Sequence, residues 1–273
     1  MNNSLNKINN ETVSVIMAVY NCESTVGEAI ESILNQTYSD IQFVICNDCS
    51  TDNTAEIVKE YAKKDNRIVY IENRENKKLP YSLNHCLEYT TGKYIARMDG
   101  DDYSYPKRFE TQVNYLKDHE QIDLVGCAMD VYNGERIIGK INSTTHPRGA
   151  DAIKIPFSHA TIMTYAYVYE ALKGYSLEKR AVRVEDADLW IRFFNAGFTG
   201  DNLQEAYYRV LEDENTMNRR KMKDRINGYK TVKYGVLLLG LPKIYILRSF
   251  FRMLIGLIPK PIYTIIHKIK YRI

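Results

Sequence analysis

Three aspartates fall within four residues in Met98-Asp99-Gly100-Asp101-Asp102, directly after an apolar run. Carboxylates crowded this way repel unless a cation screens them. Hard divalent ions such as Mn2+ or Mg2+ take oxygen ligands and commonly combine one or two carboxylates with substrate phosphates. Gly100 permits the tight turn that lets both neighbours reach one ion. The plainer alternative is an acidic surface loop. A second carboxylate, Asp48, closes another apolar run. It can accept a hydrogen bond from a nucleobase imide N–H while Tyr20 offers a ring face to the base, or it can simply cap the helix that follows.

These residues must be positioned by regular elements. Val13 to Val19 is a continuous apolar run rich in β-branched residues, the pattern of a strand buried on both faces, and it ends at Tyr20-Asn21. Val26, Ile30, Ile33 and Leu34 recur at helical spacing after Ser24 or Thr25 as caps. A second strand runs from Ile41 to Cys46, followed by a helix to about Lys63 for which Ser50, Thr51 and Asp52 offer caps. Ile68 to Ile71 reads as a third strand, Tyr81 to Tyr89 as a helix stopped by Gly92, and Tyr94 to Met98 as a fourth strand. This alternation requires right-handed crossovers and a mostly parallel central sheet flanked by helices. Ligands of such sheets bind beyond the carboxyl ends of the strands, where Tyr20-Asn21, Asp48 and the acidic cluster all fall. Further on, the pattern predicts a helix from Arg108 to Lys117, a hairpin of Asp123 to Tyr132 with Arg136 to Lys140 turning at Asn133-Gly134, and a helix from Val184 to Phe194.

Of the 273 residues, those from Thr216 onward carry fourteen Lys and Arg against one acid, Asp224, so a modest net charge of +3 conceals a strongly basic tail. Short apolar runs interleave with Lys243, Arg248, Arg252, Lys260, Lys268 and Lys270. The longest stretch without a charge is far below the roughly twenty residues needed to span a bilayer. Amphipathic helices lying on an anionic membrane fit this pattern, and packing onto the catalytic domain or a dimer partner is the alternative. Nucleic acid is disfavoured, since no reading motif is present and aliphatic residues are too many. The five cysteines suit a reducing compartment, and the Cys46-x-x-Cys49 pair reads as ordinary packing. The polar start MNNSLNKINNETVSV lacks the apolar core of a leader, which points to the cytoplasm.

The segments VSVIMAVYN, NDCSTDNT, RMDGDD, HATIM and VEDADLW stand in the order and approximate spacing of the family 2 inverting glycosyltransferases of GT-A fold, especially bacterial enzymes of capsule, exopolysaccharide and O-antigen assembly. The chain resembles that family over about Val13 to Val210. Together with the charge pattern of the tail, this predicts a catalytic domain over 1–215 followed by a basic amphipathic helical membrane-association segment over 216–273. The resemblance implies that Ala18, Val19 and Tyr20 lie along the base, with Asn21 beside them, and that Asp48 binds the imide. Asp99 and Asp101 form the family's D-x-D, with Asp101 the direct metal ligand and Asp99 nearer the ribose or the ion's water shell, Gly100 lying between them. Asp186 takes the position of the catalytic base, and its bland role is to cap its own helix. His159, Glu185 and Arg183 fall on the acceptor side, where His159 can equally be structural and the other two an ion pair. Asn76-Lys77-Lys78-Leu79-Pro80 replaces a glycine-containing loop of many relatives, leaving the contacts of Lys77 and Lys78 open. The Gln-x-x-Arg-Trp motif of processive members is absent, which favours single-sugar addition.

The activity so implied is metal-dependent, inverting transfer of one sugar from a UDP-hexose or UDP-N-acetylhexosamine to a saccharide, polyprenyl-linked, at the cytoplasmic face of the inner membrane. A nucleotidyltransferase is the competing enzyme class, though Val19-Tyr20-Asn21-Cys22-Glu23 is no glycine-rich phosphate loop. A nucleotide-binding membrane scaffold is the non-enzymatic alternative.

Overall fold

The computed structural model describes residues 11–211 and 221–254. Strand β1 (Val13–Val19), helix α1 (Val26–Leu34), β2 (Ile41–Asn47), α2 (Thr54–Lys64), β3 (Ile68–Glu72), α3 (Leu79–Leu87) and β4 (Tyr94–Asp99) alternate as the apolar pattern requires. There follow β5 (Tyr103–Ser104), α4 (Arg108–Asp118), β6 (Leu124–Tyr132), β7 (Ile137–Ile141), β8 (Met163–Tyr165), α5 (Ala166–Leu172), α6 (Glu185–Asn195), β9 (Gly200–Leu211), α7 (Met222–Leu238) and α8 (Ile244–Leu254). The nine strands form one sheet in the order β3-β2-β1-β4-β8-β6-β9-β5, with β7 on β6.

Burial on both faces explains why β1 shows no alternation in sequence. Val13, Val15, Met17 and Val19 join a core with Ala29, Ile30 and Ile33 of α1 and Phe109 and Val113 of α4. Ile16 faces the other way, into a core with Leu83 of α3 and Leu189, Trp190 and Phe193 of α6. Each such side chain contributes about 1.5–3 kcal/mol by leaving water, so the two cores hold the strand ends in register.

The sheet is more mixed than the sequence pattern implies. Pairing is parallel among β3, β2, β1 and β4, but β8 runs antiparallel to both β4 and β6, and β5 and β7 are also antiparallel to their partners. The three residues of β8 are too few to show a period. Helix α3 ends at Leu87, and Gly92 is not its stop. A Cβ on Gly92 would lie 2.4 Å from the Thr12 carbonyl oxygen and 2.8 Å from the Ser14 nitrogen, so glycine is needed there for close backbone approach. Cys46 is in the core and Cys49 lies outside it, and both are free thiols.

The basic tail divides into two parts. Helix α7 packs against α6 and the 3-10 turns at Gly149–Lys154 and Lys179–Ala181, burying Asn227, Thr231, Gly235 and Val236. This stretch therefore takes the packed alternative. Helix α8 lies on α7 and leaves Ile244, Leu247, Phe250 and Phe251 exposed beside Arg248 and Arg252. Among the described residues no helix is long and apolar enough to cross a membrane. The expected boundary at 215/216 and the bases from Lys260 onward lie outside the described residues.

Because backbone atoms, not a flexible side chain, confront Gly92, Gly92→Ala is expected to cost about 1–3 kcal/mol. A lower urea midpoint with an unchanged slope shows this; an unchanged midpoint contradicts it.

Candidate functional site

The carboxyl ends of β1, β2 and β4 lie side by side, since Ala18 is opposite both Cys46 and Asp99. Beyond β1 the chain turns through Asn21, whose φ of 51° lies in the left-handed region. The turn is tied to the loop after β2. The Asn21 amide N–H donates to Ser50 Oγ at 3.1 Å, Asn21 Oδ1 accepts from the Thr51 N–H at 2.8 Å, and the Glu23 N–H donates to Asp52 Oδ2 at 3.1 Å. Ser50 and Thr51, candidate caps of α2, bind the β1 loop instead, and Asn53 is the N-cap. Tyr20 is left 49% exposed at the crest, Ala18 is half-buried and Val19 turns its side chain into the core.

Asp48 is 4% exposed and does not cap α2. Its Oδ1 accepts from Asn73 Nδ2 and the Lys77 amide, each at 2.8 Å, and its Oδ2 accepts from the Lys78 amide at 2.8 Å. Asn73 is held in turn, donating to Ser82 Oγ at 2.9 Å with its Oδ1 2.9 Å from His85 Nδ1. The carboxylate thus clamps the loop 76–78, in which Lys78 has a φ of 74°. Strain of that kind persists only where the surroundings impose it. Oδ2 keeps acceptor capacity for a further N–H. The Lys77 ammonium pairs with Glu75 and lies 5.7 Å from the Tyr81 ring centroid.

At the end of β4 the carboxylate oxygens of Asp99, Asp101 and Asp102 lie within 4.8 Å of one another. Gly100 is not in a left-handed conformation; a Cβ there would meet Val19 Cγ1 at 2.9 Å and Cys22 Sγ at 3.2 Å, so its role is close packing. Its carbonyl accepts from Thr25 Oγ1 at 2.9 Å, fixing the loop to the start of α1. Asp99 is ion-paired with Arg97, which is only 3% exposed, and its N–H donates to the Tyr208 hydroxyl at 3.2 Å. Burial alone lowers the pKa of Arg97, but the Asp99 charge outweighs it and keeps the guanidinium charged. Asp102 is buried and accepts from the Leu211 amide at 3.0 Å. Burial, and then the charges of Asp99 and Asp101, push its carboxyl up to about 8. Asp101 is the exposed member. Three carboxylates whose oxygens converge in this way match the oxygen preference of a hard divalent cation.

The second half of the site comes from the sheet's other arm. Arg108, fully buried, donates through Nη2 to the carbonyls of Arg97, Ala160 and Ile162 at 2.9, 3.1 and 3.2 Å, binding β4 to the segment that carries His159. His159 Nε2 lies 2.8 Å from the Tyr175 hydroxyl, and its ring meets Tyr175 and Trp190 edge-on. Burial, aided by the Arg97 charge, holds its pKa well below the ordinary value, so the imidazole is neutral.

Glu185 and Asp186 open α6, whose N-cap is Val184. Asp186 is half-buried and its Oδ1 accepts the Ala187 N–H at 2.7 Å, which serves one free amide of the first turn. Burial and then the Asp186 charge push the Glu185 carboxyl up against the opposing charges of Arg97 and Arg183, and its Oε2 is buried without a partner. Arg97 therefore stands between the two halves, paired with Asp99 and felt by Glu185 and His159. Arg183 is exposed with a φ of 67°. Asp188, absent from the expected site, is fully buried between Arg180 and Arg192. Arg97, Arg108 and Asp188 are the members that sequence reasoning did not single out, while Asp102 was read only as part of the acidic cluster. Their one signal was charge inside otherwise apolar patterns.

Comparison with known proteins gives one family. Residues 14–175 match the family described as Glycosyl transferase family 2. The chain is 46% identical over 245 residues to EpsE of Bacillus subtilis (strain 168), which bears a glycosyltransferase name, covering 88% of each chain. It is 29% identical over 216 residues to the Escherichia coli UDP-Glc:alpha-D-GlcNAc-diphosphoundecaprenol beta-1,3-glucosyltransferase WfaP, covering 77% of this chain and 82% of that one. Among solved structures, S. aureus TarS 1-349 in complex with UDP-GlcNAc superposes with a TM-score of 0.69 at 19% identity, over 83% of this chain and 66% of that one. That likeness shows the GT-A fold.

If Asp48 clamps the loop, Asp48→Asn brings an NH2 against N–H donors and is expected to cost about 1–3 kcal/mol. Native-state trypsin cleavage at Lys77 and Lys78 should then accelerate; an unchanged cleavage rate contradicts the clamp.

Proposed function

Because the chain belongs to glycosyl transferase family 2, we propose that it transfers one sugar, with inversion, from a UDP-hexose or UDP-N-acetylhexosamine to a polyprenyl-linked saccharide in surface polysaccharide synthesis. The observation that carries this reading is the convergence of three carboxylates within 4.8 Å beyond β4, on the same sheet edge as Asp48 and Tyr20. The acceptor class follows the relative whose name specifies a diphosphoundecaprenol-linked sugar.

In this reading Tyr20 offers its exposed ring to the uracil, Ala18 and the Val19 backbone run beside it, and Asp48 Oδ2 accepts the imide N–H. Asp101 and Asp99, backed by Asp102, would hold Mn2+ or Mg2+. When bound, such an ion supplies positive charge where negative charge grows on the departing diphosphate. Asp186 takes the proton of the acceptor hydroxyl as its oxygen attacks the anomeric carbon. The carbon–oxygen bond to the diphosphate breaks on the opposite face, and its electron pair leaves with UDP. Arg97 holds Asp99 in place, while Glu185 and Arg183 flank the incoming acceptor. Helix α8 supplies the surface contact: exposed Ile244, Leu247, Phe250 and Phe251 enter the interface while Lys243, Arg248 and Arg252 meet anionic headgroups, which keeps the enzyme peripheral at the cytoplasmic face of the inner membrane.

The test is transfer of radiolabelled sugar to a polyprenyl-diphosphate-linked acceptor. Chelation, or Asp101→Asn, should abolish turnover, whereas Asp186→Asn should lower kcat by about a hundredfold to ten-thousandfold with UDP affinity unchanged. Near wild-type turnover by a folded Asp186→Asn variant contradicts the base assignment. UDP binding by a wild-type protein that turns over no donor supports the scaffold instead.

A further inference from the structure

Helix α7 docks on the catalytic domain through an unusual face. A helix normally buries an apolar stripe, but here the residues buried one turn apart are Asn227, Thr231 and Gly235, with Val236 beside them. The two polar members are not idle. Asn227 Nδ2 donates to the Val182 carbonyl at 3.1 Å and Thr231 Oγ1 donates to the Arg180 carbonyl at 2.9 Å. Gly235 brings the helix so close to α6 that a Cβ there would lie 2.5 Å from Ile191 Cδ1. One turn of α7 away from Thr231, the Tyr234 ring lies under the Arg180 guanidinium at 3.7 Å.

Both accepting carbonyls belong to the short segment that leads into α6. Arg180 pairs with buried Asp188, and Asp188 pairs with Arg192, which donates to the Leu172 and Gly174 carbonyls at 2.7 and 3.0 Å. Between Val182 and Glu185 the backbone passes through Arg183 at φ 67°, a conformation that a side-chain-bearing residue holds only under constraint. The segment has a constraint on each side: Asp188 pulls from α6 and the two α7 donors pull from the C-terminal part of the chain. The strained turn fixes the direction in which the chain enters α6 at Glu185 and Asp186.

We propose that Asn227 and Thr231 of α7 are positioning residues for sugar transfer, holding the turn at Arg183 so that Asp186 meets the acceptor hydroxyl. The proposal rests on Asp186 as the base. It makes α7 part of the catalytic apparatus rather than only a stem for α8, and it places no burden on donor binding, because the residues around Tyr20, Asp48 and Asp101 lie on other elements.

The test compares Thr231→Val, which keeps the shape and removes the donor, with Thr231→Ser, which keeps the donor. Each is made in the full chain and also combined with Asp186→Asn. Thr231→Val is expected to lower kcat by about tenfold to a hundredfold, since small displacements of a reacting group cost this much. Its affinity for UDP with Mn2+ should match the wild type, Thr231→Ser should restore turnover, and Thr231→Val should add no further loss to Asp186→Asn. Wild-type kcat for Thr231→Val overturns the proposal. So does a loss that persists undiminished in the Asp186→Asn background, or one matched by an equal loss of UDP affinity. Wild-type turnover by Asp186→Asn alone is a separate failure, one that removes the base assignment itself.

Discussion

Negative charge crowded at the end of β4 is the constraint around which the other parts are arranged. Asp99, Asp101 and Asp102 bring their oxygens within 4.8 Å of one another, and the pKa of about 8 for Asp102 reflects first its burial and then the repulsion of its two neighbours. The protein offsets part of this charge internally. Arg97 pairs with Asp99 from inside the sheet, and the Leu211 amide donates to Asp102. Asp101 is the exposed member of the three. A folded chain keeps such an arrangement only if the loop cannot relax, and it cannot: Gly100 lies against Val19 and Cys22, and Thr25 holds its carbonyl.

Buried charges recur in the supporting structure, and each is ion-paired or hydrogen-bonded in a way that joins separate elements. Arg108 spans β4 and the His159 segment by donating to three carbonyls, and Asp188 joins Arg180 to Arg192. Such groups add little net stability over apolar packing, yet removing one partner strands the other at several kcal/mol. Their value is geometric. They set where β4 ends relative to the start of α6.

The parallel half of the fold was legible because β1, β2 and β4 are predominantly apolar and polar residues cluster at their ends. Asp99, Asp101, Asp48 and Tyr20 were therefore placed on one sheet edge from the sequence pattern alone, and the structure puts them there. In the other arm the β6–β7 hairpin was legible, but β8 and β9 were not. Strand β8 has three residues, and β9 carries exposed Gln204 and Glu205 within it, so neither shows a strand period. Asp48 could not be resolved between cap and binding group because its partners, the amides of Lys77 and Lys78, are about thirty residues away in a loop without a pattern. The sequence could not decide between the two readings of helix α7 for a related reason: its docking face is Asn, Thr and Gly, which carry no apolar signal, while its exposed face includes Leu237 and Leu238.

The claim that most depends on this geometry is that a divalent ion joins the aspartates after Met98 to the donor's diphosphate. Crystals grown with UDP and Mn2+ and measured at the manganese absorption edge test it directly. The account predicts one anomalous peak within coordination distance, roughly 2.0–2.6 Å, of an Asp101 oxygen and of the diphosphate. UDP seated elsewhere, or seated there with no peak beside Asp101, contradicts it.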